Sequence, residues 1–244
     1  MEKEQYQLLY ELEDRHWWYL GMRAIVERQL RRYIPPGALL LVLDAGCGTG
    51  GNLALLSSYG EAIGLDMEPE ALSRAQMRRP GRLVRGTVCA LPFPDSSFHL
   101  LTSFDVIYHQ AVPDDEAALR EFHRVLLPGG YLILRVPALP WLTARHDALV
   151  HTRRRYTKRE LRRKLADAGF RVLKLTFANT LLFPVTAAVR LAQRALPFAP
   201  GRDDLREEGA FLNSILKRLL ALEAPLLAHV DFPVGLSLLA VARR

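Results

Sequence analysis

Asp44 stands immediately before a run of glycines, in the stretch Leu41-Val42-Leu43-Asp44-Ala45-Gly46-Cys47-Gly48-Thr49-Gly50-Gly51. Glycines let a backbone turn tightly and let a ligand come close to it. A helix start beyond such a turn offers unpaired N–H groups and positive potential. Asp66 follows at about the 20-residue separation at which an acidic side chain reaches the ribose hydroxyls of a bound nucleoside. A second set of polar residues lies further on: His109, then His146, Asp147, His151 and Tyr156. Histidine titrates near neutral pH and serves as a general base, with a carboxylate as orienting partner. His151 is the first candidate for such a base and Asp147 for its partner, with His109 second; the plain alternative is a polar loop. Arg153, Arg154 and Arg155 are suited to a phosphate or carboxylate, or to a solvated basic face that Lys158, Arg159, Arg162, Arg163 and Lys164 continue. Cys47 and Cys89 lack metal-ligand spacing, so no metal is expected.

The glycines satisfy the dinucleotide spacing, as Gly46-x-Gly48-x-x-Gly51, which alone discriminates weakly. A pyrophosphate at this turn would face the Asp44 carboxylate in a partly dry site. S-adenosylmethionine carries no phosphate. Asp44 attracts its ammonium and sulfonium, and its carboxylate suits a helix start. Asp66 supports a nucleoside in either case.

These residues need a scaffold that brings strand ends together. Leu39–Leu43 is a continuous apolar run, as in a strand buried on both faces of a parallel sheet. Ala62–Leu65, Leu83–Gly86, Phe98–Phe104, Tyr131–Val136, Phe170–Phe177 and Gly235–Ala242 read as further strands. Between them, Pro69–Met77 reads as a helix. Asp114 caps another, with Ala118, Phe122, Val125 and Leu126 on its apolar face. Thr157 and Glu160 form a capping box for a helix that Gly169 closes. Repeated strand–helix units imply an α/β, doubly wound, mostly parallel sheet with right-handed crossovers.

Residues 1–34 are helix-prone and aromatic, forming an N-terminal helical cap. Residues 35–179 form the core, 180–232 a helical insertion with segments near 185–196 and 210–222, and 233–244 the final strand. The insertion reads as a helical cover, an acceptor lid or a membrane-contact surface.

The chain has 244 residues and a formal charge of +7, which favours anionic partners. Two cysteines are too few for a disulfide framework, so a reduced, cytoplasmic setting is expected. No signal peptide pattern and no transmembrane segment is expected. Aromatics are not interleaved with the basic run, which disfavours nucleic acid as a partner.

Four motifs together resemble the class I S-adenosylmethionine methyltransferases of the type 11 group. They are Leu43–Gly50, Gly64-Leu65-Asp66, the run from Ala90 to Phe98, and Arg124-Val125-Leu126-Leu127-Pro128-Gly129-Gly130. The resemblance is strong over residues 38–137. It implies a Rossmann-like seven-stranded sheet of order 3-2-1-4-5-7-6 with one antiparallel strand. It further implies that Asp44 and Gly46, in the turn with Cys47 and Gly48, hold the methionine part of S-adenosylmethionine. Asp66, beside Met67, would hold the ribose. Thr87, Val88, Cys89, Ala90 and Leu91 would flank adenine, and Phe104 and Asp105 would border the methyl group. Thr87 stands where such proteins often carry Asp.

The segments Glu13-Asp14-Arg15-His16-Trp17-Trp18 and His146-Asp147…His151-Thr152-Arg153-Arg154-Arg155-Tyr156 resemble a narrower bacterial subgroup. There Trp17 would fold over the cofactor. The expected function is methyl transfer to a small-molecule or lipid-like acceptor, at oxygen. The rivals are an RNA methyltransferase, an NAD(P)-dependent oxidoreductase and a non-catalytic cofactor-binding module.

Overall fold

The computed structural model describes residues 3–35, 37–78, 82–143, 147–148, 150–195 and 209–244. Seven strands form one sheet in the order β3-β2-β1-β4-β5-β7-β6. They are β1 Leu40–Ala45, β2 Gly60–Asp66, β3 Leu83–Arg85, β4 Phe98–Phe104, β5 Leu126–Pro137, β6 Arg171–Ala178 and β7 Ser237–Arg243. Strand β7 runs antiparallel to both β5 and β6, and the other pairings are parallel. The order and the antiparallel strand are those that the resemblance implied.

Two boundaries differ from the sequence reading in informative ways. Strand β1 continues to Ala45, because Asp44 pairs in register with Gly64 on one side and Thr102 on the other. A carboxylate is thereby carried inside the sheet. Strand β5 begins at Leu126, five residues before the expected start, and the pairing is irregular between Phe98 and Leu100. Leu126 therefore ends the preceding helix rather than extending its apolar face.

The helices are α1 Lys3–Leu12, α2 Trp17–Tyr33, α3 Leu53–Ser57, α4 Pro69–Arg78, α5 Asp115–Val125, α6 Lys158–Asp167, α7 Phe183–Ala195 and α8 Ala210–His229. The expected caps form. Asp114 Oδ1 accepts from the Glu116 and Ala117 N–H groups at 2.9 Å. Thr157 Oγ1 accepts from Glu160 N at 3.2 Å. Each cap satisfies backbone donors that a helix start leaves open.

Burial places α5 and α6 on one face of the sheet, where Phe122, Leu161 and Leu165 pack against Leu43, Leu101 and Leu132. On the other face α2 and α8 lie together, with Met22, Ile25, Leu220 and Leu227 against Val42, Leu100, Ile133 and Leu239. Gly21 allows that approach. A Cβ there would lie 2.5 Å from Leu220, closer than packed carbons come. The second half of the segment before β7 is thus a layer of the core. The first half, α7, contributes to the C-terminal edge of the sheet, where open α/β sheets bind ligands.

Candidate active site

The glycine turn is built by backbone geometry that its sequence dictates. Gly46, Gly48 and Gly50 have φ of 85°, 55° and 84°. At Gly46 a Cβ would also sit 2.2 Å from Val106 Cγ2, so only glycine fits there. Gly46 N and Cys47 N donate to Leu65 O at 2.7 and 2.9 Å, tying the turn to β2. Asp66 Oδ2 accepts from Gly48 N at 2.9 Å and Oδ1 from Glu68 N at 3.0 Å. The helix beyond the turn, α3, has five residues. Gly50 N also donates inward, to Cys47 O at 2.9 Å, so neither these four N–H groups nor a long helix dipole is open to a carboxylate.

Asp44 lies beneath this turn and is 2% exposed. Its Oδ1 accepts from Thr102 Oγ1 at 2.7 Å, while Oδ2 has no partner. Burial pushes the carboxyl up to about 7, with Glu13 and Asp66 adding to the rise against the Thr102 hydrogen bond. An unpartnered, buried carboxylate oxygen is costly, and a cation placed near it would relieve that cost.

Glu13 is a site residue whose role the sequence reading did not identify. It is buried, accepts from Thr49 Oγ1 at 2.5 Å and lies 3.3 Å from an Arg78 nitrogen. Burial raises its pKa above the usual carboxylate range, against the Thr49 and Arg78 contacts. Gly51 makes room for it, since a Cβ there would come 2.6 Å from Glu13 Cδ. Its one signal in the sequence was its place before His16-Trp17-Trp18. Arg78 also pairs with Asp14 and donates to Tyr10 O, fastening α1 to α4.

These elements enclose a cavity of about 520 Å³ along the C-terminal edge of the sheet. Gly46, Cys47, Gly48, Asp66, Met67, Thr87, Val88, Phe104, Asp105 and Trp17 all line it. Asp44, Cys89, Ala90 and Leu91 are not among the lining residues. Cys89 Sγ contacts Asp114 O at 3.4 Å, Ala90 is exposed, and Leu91 N donates to Glu121 Oε2 at 2.7 Å. The turn presents Thr87 and Val88 inward and anchors the next three residues elsewhere. Trp17 is set by α8, since its N–H donates to Asn213 Oδ1 at 2.8 Å. Arg135 of β5 pairs with Asp105 at 2.5 and 2.9 Å, and its guanidinium lies over the Phe104 and Trp18 rings.

The candidate catalytic residues separate: His109 and Asp147 are among those lining the cavity, and His151 and Tyr156 are not. His109 lines the cavity, and the His151 ring meets it edge-on at 5.6 Å between centroids. His109 Nδ1 accepts from Ala111 N at 3.0 Å, which leaves the proton of the neutral ring on Nε2. Burial first, then the nearby His151 charge, lowers the His109 pKa. Asp147 lines the cavity but does not orient His151; it forms a buried pair with Arg155 at 2.8 Å. Tyr156 is fully buried in the core, its hydroxyl donating to Asp115 Oδ2 at 2.7 Å, so it braces the loop. His146 lies outside the described residues.

The arginine run is largely spent internally. Arg153 lies 3.4 Å from Asp115, Arg154 pairs with Glu160, and Arg155 holds Asp147 and donates to Ala138 O.

Strand order, the glycine turn, and acidic residues at the ends of β1 and β2 are those of the class I S-adenosylmethionine-dependent methyltransferase fold. Residues 43–134 match the family model described as a methyltransferase domain. Among similar proteins is a probable S-adenosylmethionine-dependent methyltransferase of Mycolicibacterium smegmatis, 30% identical over 166 residues, which are 66% of this chain and 62% of that protein. Another is the 2-methyl-6-phytyl-1,4-hydroquinone methyltransferase of Synechocystis, 35% identical over 107 residues, 41% of this chain and 32% of that one. The chain thus covers less than two thirds of these relatives' lengths. A methyltransferase solved in complex with the Haloferax volcanii Trm112 activator superposes with a TM-score of 0.61 at 23% identity, covering 96% of this chain and 92% of its own. That likeness is one of fold.

Proposed function

We propose that this protein transfers a methyl group from S-adenosylmethionine to an oxygen of a small-molecule or lipid-like acceptor. The observation that carries the reading is the continuous cavity, which runs past the glycine turn to α7 and β6 and is lined by Trp17, Trp18, Phe104 and Tyr108. The cofactor occupies part of such a cavity, and the remainder suits an acceptor with an apolar portion.

The residues fit the cofactor. The unpartnered Asp44 Oδ2, behind the cavity wall, suits the ammonium and Asp66 suits the ribose, while the N–H groups of Gly46, Cys47, Gly48 and Gly50 already donate within the protein. Bound S-adenosylmethionine supplies an activated methyl group. The chain itself positions the two partners and excludes water. The His109 Nε2–H is placed to donate to an acceptor in the cavity. The His151 ring lies against His109, behind the residues that line the cavity, makes no side-chain hydrogen bond to a described residue, and is the candidate to take up the acceptor's proton. Substituting His151→Ala lowers turnover about 100-fold or more, with S-adenosylhomocysteine affinity unchanged by calorimetry. A screen for labelled methyl transfer to lipid and metabolite extracts identifies the acceptor. Label appearing only in RNA would contradict the reading.

Peripheral membrane contact belongs to the same proposal. Val185, Val189 and Leu191 on α7 and Phe211, Leu212, Ile215, Leu222 and Leu226 on α8 are exposed. Among the described residues no helix is long and apolar enough to cross a membrane. Cosedimentation with vesicles containing anionic lipid tests the contact. The internal pairing of Arg153, Arg154 and Arg155 argues against a phosphate-reading role for that run, and the two buried carboxylates around the turn, Glu13 and Asp44, argue against a pyrophosphate.

A further inference from the structure

Asn179 follows β6 with φ of 58° and is fully buried. A left-handed residue is needed there, and glycine alone would meet that need. The amide is what requires explanation. Asn179 lines the cavity, yet neither Oδ1 nor Nδ2 has a hydrogen-bond partner. Buried amides are almost always paired.

The turn that presents it is held firmly. Glu223 of α8, itself fully buried, accepts from Thr180 N at 2.9 Å and Leu181 N at 3.2 Å. Thr180 Oγ1 donates to Val234 O at 2.6 Å. Ala178 sits opposite Ser237, which sits opposite Pro137, so Asn179 stands at the same sheet edge as Phe104. From β4 through β5 and β7 to β6 is three strand spacings, about 14 Å. The cofactor-holding residues lie on β1, β2 and the turns beside them, at the other end of that edge.

We propose that Asn179 recognises a neutral head group of the acceptor that offers a donor and an acceptor side by side, a carboxamide or a vicinal diol, on an apolar stem reaching from the Phe104 end. A carboxylate would satisfy Nδ2 and leave Oδ1 bare; an ammonium would do the reverse. The proposal rests on the methyltransferase reading, since it assigns the Gly46 end to the cofactor.

The test uses the full chain saturated with S-adenosylhomocysteine. Calorimetry measures 1,2-octanediol, octanamide and octanoate, and the assigned Asn179 side-chain amide signal is followed by ¹⁵N NMR. The diol or octanamide binds and shifts that signal, and octanoate binds about tenfold more weakly than the better neutral probe. Asn179→Gly, which keeps the backbone shape, and Asn179→Asp each weaken the neutral probe about tenfold or more, with S-adenosylhomocysteine affinity unchanged. The NMR arm needs no variant, so it decides even if both fail to fold. An unmoved amide signal, or unchanged probe affinity in Asn179→Gly, means that water alone fills the site and overturns the proposal. If the wild type does not bind S-adenosylhomocysteine, the methyltransferase reading falls and this one with it. If it binds and the probes ignore Asn179, only this one falls.

Discussion

The two ends of the cavity are built in different ways. The β1–β2 end is made of neighbours in sequence: Asp44, Gly46 and Gly48 belong to one turn, and Asp66 closes the adjacent strand. The β5–β7–β6 end draws Trp17, His109, Thr152, Asn179, Arg190 and Ser237 from six separate segments. The first is a rigid backbone cradle for an invariant ligand. The second is an assembly of side chains whose shape depends on helices α2, α7 and α8. Function by analogy therefore reaches the first end and stops before the second.

That contrast breaks most visibly at Gly46. Replacing it by alanine puts a Cβ 2.2 Å from Val106 at φ of 85°. S-adenosylhomocysteine binding should fall at least 100-fold by calorimetry, or the protein should fail to fold. Near-normal binding would show that the cradle is not backbone-built. Glu13→Gln sharpens the boundary between cradle and cap. It keeps a partner for Thr49 but removes the charge beside Arg78. The expected loss of cofactor affinity is about tenfold; an unchanged affinity would make Glu13 part of the α1 fastening alone. The smallest effect is expected at Gly21→Ala, which crowds Leu220. It should cost about 1–3 kcal/mol of stability by denaturant titration and leave cofactor affinity as it was. A large loss of affinity would mean that α2 and α8 are coupled to the cradle.

The same contrast explains what the sequence made legible. Apolar runs bounded by glycine, proline and capping residues mark seven strands and most helices, because parallel strands buried on both faces leave that pattern. The short motifs single out Asp44, Gly46 and Asp66 because backbone turns are local; Gly46 and Asp66 line the cavity, and Asp44 is buried in β1. Tyr156 and Asp147 were read as chemistry because polar residues after β5 point toward the ligand edge. Folding instead gives one to Asp115 and the other to Arg155, pairings that join segments 41 and 8 residues apart. Glu13 escaped for the same reason, since its partner Thr49 lies 36 residues away. Asn179 carries no motif at all; only its burial without a partner marks it.

The most direct measurement is the affinity for S-adenosylhomocysteine as a function of pH, in the wild type and in Asp44→Asn. In the free protein burial holds the Asp44 carboxyl up to about 7; a bound ammonium keeps it ionised and so lowers that value. Affinity should therefore be full above about pH 7 and fall as pH drops below it, approaching about tenfold per unit, and Asp44→Asn should bind weakly with a flat profile. A flat wild-type profile from pH 5.5 to 8, or tighter binding of NADH than of S-adenosylhomocysteine, would contradict a cradle built around a cation.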